Sequence, residues 1–449
     1  MTQLSEAIAR YHKILESEPY RDMGWAATLV QRMEESGLVV SARPVCPVLR
    51  PHFLSARQYT SLTKASETLI SSIDRIKQMA LLTPALQARM EMLPAEKMLA
   101  AIDPGYRYLS VASLLETYVN NGTLRFMECV SDAPMGLAYG EILTNLFLET
   151  GPLKEFKKKF ALTKLPGSKS LLTAMLRAYK EFGGKKTPNI AIVELKQPFQ
   201  TIESAEYHLL AEVFRKQGYA AEVVNLDQLE YKNGILKRGD FQIDLVYRCV
   251  KVQEFLVRYD LTHPLVRAYK DHAICMVNSF RAELARKKAI FDLLTDDSIN
   301  QAFPAAERKV IRDSIPWTRV VTTNSTSFQD KQVDLVDFIH KNRETLVLRP
   351  NDEVTDQHEY RGWETDDAGW DRALRTALRN PYVVQQRTEP FIAPFPVYQW
   401  GSMEMKNLRV DVHPHTLLGK VQGCSSWISA VDGGRFSTLQ GVAPTFVLA

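Results

Sequence analysis

The sequence contains no CxxC pair and no GxGxxG run, and its apolar stretches fall short of the roughly 18 residues that a bilayer-spanning helix needs. Its five cysteines, Cys46, Cys129, Cys249, Cys275 and Cys424, lie far apart. That spacing argues against a structural zinc site or a thioredoxin-type motif and fits reduced thiols. Without the glycine fingerprint there is no dinucleotide-binding turn. Charge of one sign is scarce as well. Lys and Arg, 56 in all, are interleaved with 52 Asp and Glu, and a net charge of +4 over 449 residues is no footprint for nucleic acid. Repeats and low-complexity tracts are missing, which excludes collagen, coiled coil and disorder as the main architecture. The residues after Met1 are polar and helical rather than signal-like. A cytoplasmic protein with neither membrane nor nucleic-acid partner is expected.

What is present is a globular mixture, 45% apolar and 24% charged, long enough for about two or three domains. Residues 1–100 read as mostly helical. Leu4, Ile8, Tyr11 and Leu15 recur at helical spacing, Trp25 to Glu35 forms a second helix, and a third region runs over 63–101 with breaks at Pro84 and Pro94. Asn121-Gly122 signals a hairpin, followed by a strand over Leu124–Glu128. From 186 to 280 the pattern becomes a small parallel α/β sheet. Its strands are Ile190–Glu194, Ala221–Val224 and Ile243–Tyr247, with a helix from Ser204 to Gln217 and a turn over Leu236–Gly239. In the last third, Ala282–Leu294 and Asp366–Arg379 read as helices, the latter with Trp370, Leu374 and Leu378 on one stripe. Leu346–Leu348 and Tyr382–Gln385 read as strands.

Several short motifs lie along this framework. They are Ile243-Asp-Leu-Val-Tyr-Arg248, Lys287-Lys288-Ala-Ile-Phe291, Ile315-Pro-Trp-Thr-Arg319, Arg349-Pro-Asn-Asp-Glu353, Gly362-Trp-Glu364, Tyr382-Val-Val-Gln385, Asp411-Val-His-Pro414 and Pro444-Thr-Phe446. Arg107 and the stretch Arg125-Phe-Met-Glu128-Cys-Val-Ser-Asp132-Ala-Pro134 precede them. In order and spacing the chain resembles the circularly permuted ATP-grasp proteins, the group that includes glutathionylspermidine synthase, over about residues 100–449. The resemblance implies an α/β fold with an α+β grasp domain. It divides the chain into the helical region 1–100, a grasp-like segment 101–185 carrying the family's E-x-N-x-D-x-P metal motif, the small parallel-sheet domain 186–280, and a grasp-like C-terminal domain 281–449. Active relatives bind ATP and Mg²⁺, phosphorylate a carboxylate and let an amine attack the acyl phosphate.

The sequence departs from the family where nucleotide and metal are handled. The family's lid reads K-P-N-D-E-Y-G-G-K-G, whereas here Thr355, Asp356 and His358 stand for glycines and Gln357 for the lysine. The metal segment keeps Glu128 but has Val130 for Asn, and the Asp expected after the arginine falls on Leu109. Aliphatic side chains do not coordinate a hard cation. Trp427 stands for an arginine, and Gln386 for the Glu that usually follows Gln385. The resemblance assigns Lys288, Arg349, Asn351, Gln385 and Gln386 to the nucleotide side of the cleft, and makes Glu128, Arg248 and His358 the candidate catalytic groups. Arg248 follows a buried strand, where open α/β sheets bind ligands. The simpler readings are an ion pair of Arg349 with Asp352 or Glu353, a structural acceptor at Glu128 and a plain loop histidine at His358. Asp411, His413 and His415 can share one face of a strand, but solvated histidines are expected there rather than a metal triad. Gly433-Gly434 reads as a turn and Cys129 as a buried thiol. No bound metal or cofactor is expected. The favoured reading is a ligase-like protein without ATP turnover that binds a small carboxylate or peptide-like ligand or serves as a partner subunit in biosynthesis. The alternatives are an active carboxylate–amine ligase using ATP and Mg²⁺, and an ATP-independent enzyme reusing the cleft through His358, Glu128 or Cys129.

Overall fold

The computed structural model describes residues 2–40, 43–120, 122–132, 134–196, 205–352, 358–431 and 439–449. Asn121, Ser204, the lid substitutions at 355–357 and the Gly433-Gly434 pair lie outside the described residues. Helix α1 (Gln3–Leu15) buries Tyr11 and Leu15 of the expected stripe together with Ala7 and Ile14, while Leu4 and Ile8 are half-buried, and α2 (Gly24–Glu35) follows. A strand that the helical pattern hides, β1 (His52–Ser55), leads into α3 (Ala56–Leu82). Ser55 starts this helix with a capping box: its hydroxyl accepts the Gln58 N–H, and the Gln58 carboxamide oxygen accepts the Ser55 N–H. Helix α4 (Pro94–Ala101) has proline in its first turn, where a missing N–H is tolerated.

Strands β2 (Ala112–Asn120) and β3 (Thr123–Val130) form the hairpin signalled by Asn121-Gly122. Helix α5 (Leu137–Glu149) and the short β4 (Leu162–Lys164) come next. The small α/β unit contains β5 (Ile190–Glu194), α6 (Ala205–Lys216) and β6 (Ala221–Asn225). An antiparallel trio follows, β7 (Glu230–Lys232), β8 (Ile235–Arg238) and β9 (Phe241–Ile243), then β10 (Leu245–Arg248) and β11 (Cys275–Val277). The order β11-β10-β5-β6 is all parallel, as the strand–helix–strand pattern implies. Two details differ from expectation. Residues 236–238 are strand rather than turn, because buried Leu236 pairs with both neighbours in the trio. The strand expected over 243–247 is two strands of different sheets, parted at Asp244, whose carboxylate takes the Asn189 N–H.

The helix expected over 282–294 is broken into α7 (Glu283–Arg286) and α8 (Ala289–Leu294). Asn351 causes the break: its carbonyl accepts the Lys288 N–H and its Oδ1 accepts the Ala289 N–H, so neither donor continues the helix. The C-terminal lobe adds β12 (Thr318–Val320), β13 (Leu346–Pro350), β14 (Tyr360–Arg361), α9 (Asp367–Ala377) and β15 (Tyr382–Gln386), in the sheet order β12-β15-β13-β14. Helix α9 buries Trp370 and Leu374 against that sheet, while Leu378 falls past its end and is 36% exposed.

The last strands are β16 (Phe391–Gln399), β17 (Ser402–Leu417), β18 (Lys420–Ala430), β19 (Gln440–Ala443) and β20 (Thr445–Leu448). They close the large sheet β19-β18-β17-β2-β3, with β16 on β17, and β20 lies between β1 and β4. The largest of three apolar clusters among the described residues runs from Ala7 to Leu448, with smaller ones in the small α/β unit and under α9. Among the described residues no helix is long and apolar enough to cross a membrane, and all five cysteines are free and buried.

Candidate active site: a buried cluster of ion pairs

Glu128, near the end of β3 and 2% exposed, lies at the centre of the site. Its Oε1 accepts from Arg286 Nη1 at 2.7 Å, and its Oε2 lies 3.3 Å from both Lys288 Nζ and Arg349 Nη2. The helix break lets neighbouring lysines diverge, Lys288 towards Glu128 and Lys287 towards other carboxylates. Lys287 Nζ donates to Glu96 at 2.7 Å and to Asp352 at 2.6 Å, all three groups being buried. Arg349 reaches Glu128 from β13, donates to the Met127 carbonyl and to Gln385 Oε1 at 3.2 Å each, and pairs with Glu359 at 3.0 Å. Burial opposes ionisation of Glu359, but Arg349 and Arg361 hold its carboxyl below the usual range. Among the described residues Arg349 thus pairs with Glu128 and Glu359; Glu353, one of the two partners expected for it, lies outside them.

The other candidates divide between structural and cleft positions. Asn351 is buried; its amide donates to the Met90 carbonyl and accepts from Ala289, so it positions Lys287 and Lys288. Gln385 is buried and bridges Arg349 to the Thr318 hydroxyl, which accepts from its Nε2 at 3.0 Å. Gln386 is exposed on the rim of a cavity of about 450 Å³, with Tyr118, Arg125, Arg312 and Pro316. Arg248 is 1% exposed and held by Glu283 at 2.9 Å and by the carbonyls of Val250, Asn278 and Ser279. His358 is exposed, with its backbone bonded both ways to the Tyr382 hydroxyl. Burial pushes the Cys129 thiol up to about 12, so it is not a thiolate.

Leu109, two residues after Arg107, lies outside the hairpin, and its carbonyl accepts from Lys77 Nζ at 2.7 Å. The residue facing Glu128 is Glu116. An unbroken register from Asn120↔Thr123 would set Glu116 against Met127; the bulge after Thr117↔Phe126 brings Glu128 opposite instead. Counting back from Asn121-Gly122 comes within one residue of this pair, so a signal existed. Burial, then the Glu128 charge, pushes the Glu116 carboxyl up to about 7. His413 and His415, expected to be solvated, are 8% and 2% exposed, and burial depresses both to about 3. His415 Nε2 pairs with the Ser425 hydroxyl, while His413 Nδ1 has no hydrogen-bond partner among the described residues.

As a Mg²⁺ cage this donor set fits poorly. Both Glu128 oxygens face the chain's own cations and the Val130 side chain has no oxygen to give, which leaves Glu116 and the buried Asp132, whose oxygens have no hydrogen-bond partner among the described residues and whose Oδ2 lies 3.8 Å from Arg286 Nε. Among the described residues no group of three or more His, Cys, Asp or Glu is arranged to hold a metal ion.

Buried carboxyls set the pH response. Burial raises Glu206 to about 7 and Glu283 to about 8, as it does Glu116. Their unfolded value is near 4.5, so between there and pH 8 the folded chain keeps protons that the unfolded chain has released. Their contribution is complete below about pH 4.5 and is lost as the pH rises through 7. Glu116→Gln is expected to reduce this decline by on the order of 1 kcal/mol, since Glu116 keeps partial contact with solvent that screens it more than Glu206 or Glu283, in denaturant titrations at pH 5 and pH 8.

No family model matches the sequence, and no curated protein matches it. Solved structures do. A glutathione synthetase-like effector from Globodera pallida, in its apo form, superposes with a TM-score of 0.59 at 12% identity, covering 94% of this chain and 96% of that one. The chain has an ATP-grasp-like fold. A putative gamma-glutamylcysteine synthetase from Methylobacillus flagellatus KT gives 0.43 at 10% identity over 86% of each chain. The mixed α/β expectation therefore holds, and the ATP-grasp-like frame is what brings the β2–β3 hairpin, the α7–α8 break and β13 around Glu128.

Proposed function

We propose that this chain is a ligase-like protein of circularly permuted ATP-grasp type that has lost ATP- and Mg²⁺-dependent ligation and keeps its cleft for a small carboxylate or peptide-like ligand, alone or as a partner subunit. The observation that carries this reading is the capping of Glu128: Arg286, Lys288 and Arg349 surround the carboxylate that a metal would need. The same cations would be the phosphate clamps of an active enzyme, and here they are neutralised. Around them Glu96, Glu128, Asp352 and Glu359 already pair with Arg286, Lys287, Lys288 and Arg349, so a triphosphate would have to displace these carboxylates. Val130, Thr355 and Gln357 remove the metal ligand, loop glycine and loop lysine that the family uses.

The test is thermal melting with Mg·ATP. A ligand at about 100 times its Kd stabilises the native state by about 2.7 kcal/mol, a readily measured shift. No shift at millimolar Mg·ATP is expected; a rise of several degrees would sink the reading. The second reading, an active carboxylate–amine ligase, draws on the Glu116–Glu128 pair, since two facing carboxylates can recruit a divalent cation. It requires the Mg·ATP shift, and its loss in Glu116→Gln.

A further inference from the structure

In the buried cluster each cation already faces a carboxylate, so a ligand anion has to displace one there. The balance differs beside the linker from β15 to β16. A cavity of about 450 Å³ lies where the outer half of the β2–β3 hairpin meets the C-terminal lobe. One face of the hairpin supplies four of its lining residues. Tyr118 and Asn120 are two residues apart on β2, and their partners across the hairpin are Arg125 and Thr123, so all four side chains share that face. The buried pair Ile315-Pro316, ahead of β12, adds an apolar wall, and residues 386–389 of the linker complete the lining.

Three guanidinium groups line this cavity from three elements: Arg125 from β3, Arg312 from the helix Ala305–Ser314 and Arg387 from the linker. Arg125 has no carboxylate at ion-pair distance among the described residues; its Nη1 donates to the Leu124 and Asp313 carbonyls, which carry no net charge. Arg312 is largely exposed and lies 3.7 Å from Asp313, a carboxylate that Lys309 also holds at 2.6 Å. Arg387 is oriented by the Trp363 ring, 4.4 Å from its centroid, and by Glu389 at 2.8 Å. Among the described lining residues Glu389 is the one acidic side chain, against three cations. Position 386 presents an exposed amide, so no second carboxylate opposes an anion there.

We propose that this cavity is where the cleft takes its ligand, and that the ligand is a small polyanion whose charged groups, carboxylate or phosphate, bridge Arg125, Arg312 and Arg387. A guanidinium fork matches either group. A single charged group is served by one arginine, whereas three arginines from separate elements suit a ligand with two or three. A volume of about 450 Å³ is in the range of small-molecule sites. The Tyr118 ring and the Ile315-Pro316 wall accommodate a short carbon chain between the charged ends. The inference rests on the reading of the cleft as ligand-binding and names the class of ligand; it does not need the loss of ATP chemistry.

The experiment is calorimetric titration of the full chain, at low salt and without metal, with tricarballylate, pyrophosphate, acetate and adenosine. One-to-one binding of tricarballylate or pyrophosphate is expected, the tighter of the two naming the charged group, with acetate about tenfold weaker or more. Arg387→Gln and Gln386→Glu are each expected to weaken the tighter polyanion about tenfold, since each moves the cavity by one charge. Added salt is expected to weaken it further, because the arginines are partly exposed. Both substituted positions are exposed, so the variants are expected to melt with the parent. No binding of either polyanion, adenosine binding as tightly as they do, or an affinity that neither variant changes would overturn the proposal. So would an affinity that rises in Glu128→Gln and ignores Gln386→Glu, which places the anion in the buried cluster. Failure with no Mg·ATP shift removes this ligand and leaves the loss of ligation standing; failure together with a Mg·ATP shift removes both.

Discussion

Lys287→Met is expected to destabilise the fold by about 3–5 kcal/mol, the range for breaking a buried ion pair by removing one partner. Lys287 is 1% exposed between Glu96, which is 0% exposed, and Asp352, at 6%. Burial alone would drive the ammonium to shed its proton; Asp352 and Glu96 reverse this and hold its pKa above the ordinary lysine value. The folded pKa being raised, the stabilisation is present at neutral pH and is lost only as the pH climbs through that higher value. Methionine keeps the length of the side chain but strands two carboxylates. Glu96 retains the Leu93 N–H, and Asp352 retains Arg286 at 3.8 Å, so the loss falls short of two isolated buried charges. Denaturant titration of Lys287→Met, Glu96→Gln and the double variant measures the coupling directly. A coupling below about 0.5 kcal/mol would mean that the sites act independently and the triad is not a unit.

That triad also marks the limit of sequence reading. Lys287 and Glu96 are 191 residues apart, and no periodicity links them. Local signals carried well: the α1 periodicity, the Asn121-Gly122 hairpin, the β5–α6–β6 pattern and the Trp370/Leu374 face of α9 all correspond to elements of the fold. Signals failed where a tertiary partner overrode local preference. Asn351 breaks a helix whose own residues would continue it. Strand β2 went unread because it is buried on both faces, leaving no alternation to detect. His413 and His415 read as solvated because one sequence does not reveal that β2 and β18 enclose β17 on both sides. In the site, Glu128, Lys288, Arg349 and Gln385 were legible through motif resemblance, whereas Arg286 and Glu116 required the break at α7 and a bulge in β3.

Glu128→Gln is expected to raise the affinity for metal-free tripolyphosphate by about tenfold or more, because each 1.4 kcal/mol is a factor of ten and a full charge is removed beside three cations. The amide keeps an acceptor for Arg286 Nη1, while Lys288 and Arg349 lose their shared counter-charge. Arg349 retains Glu359, so its guanidinium stays oriented towards the cleft. Calorimetric titration with tripolyphosphate, at low and high salt and with and without Mg²⁺, separates the two readings of the cleft. If the cations are neutralised clamps, the gain appears without Mg²⁺ and shrinks with salt, since screened attraction is its origin. If Glu128 is instead a working metal ligand, the parent binds Mg·ATP and the variant loses that binding. An affinity for tripolyphosphate unchanged by the substitution would mean that Arg286, Lys288 and Arg349 serve the fold rather than an anion. The cluster would then be a structural knot between the β2–β3 hairpin and the C-terminal lobe.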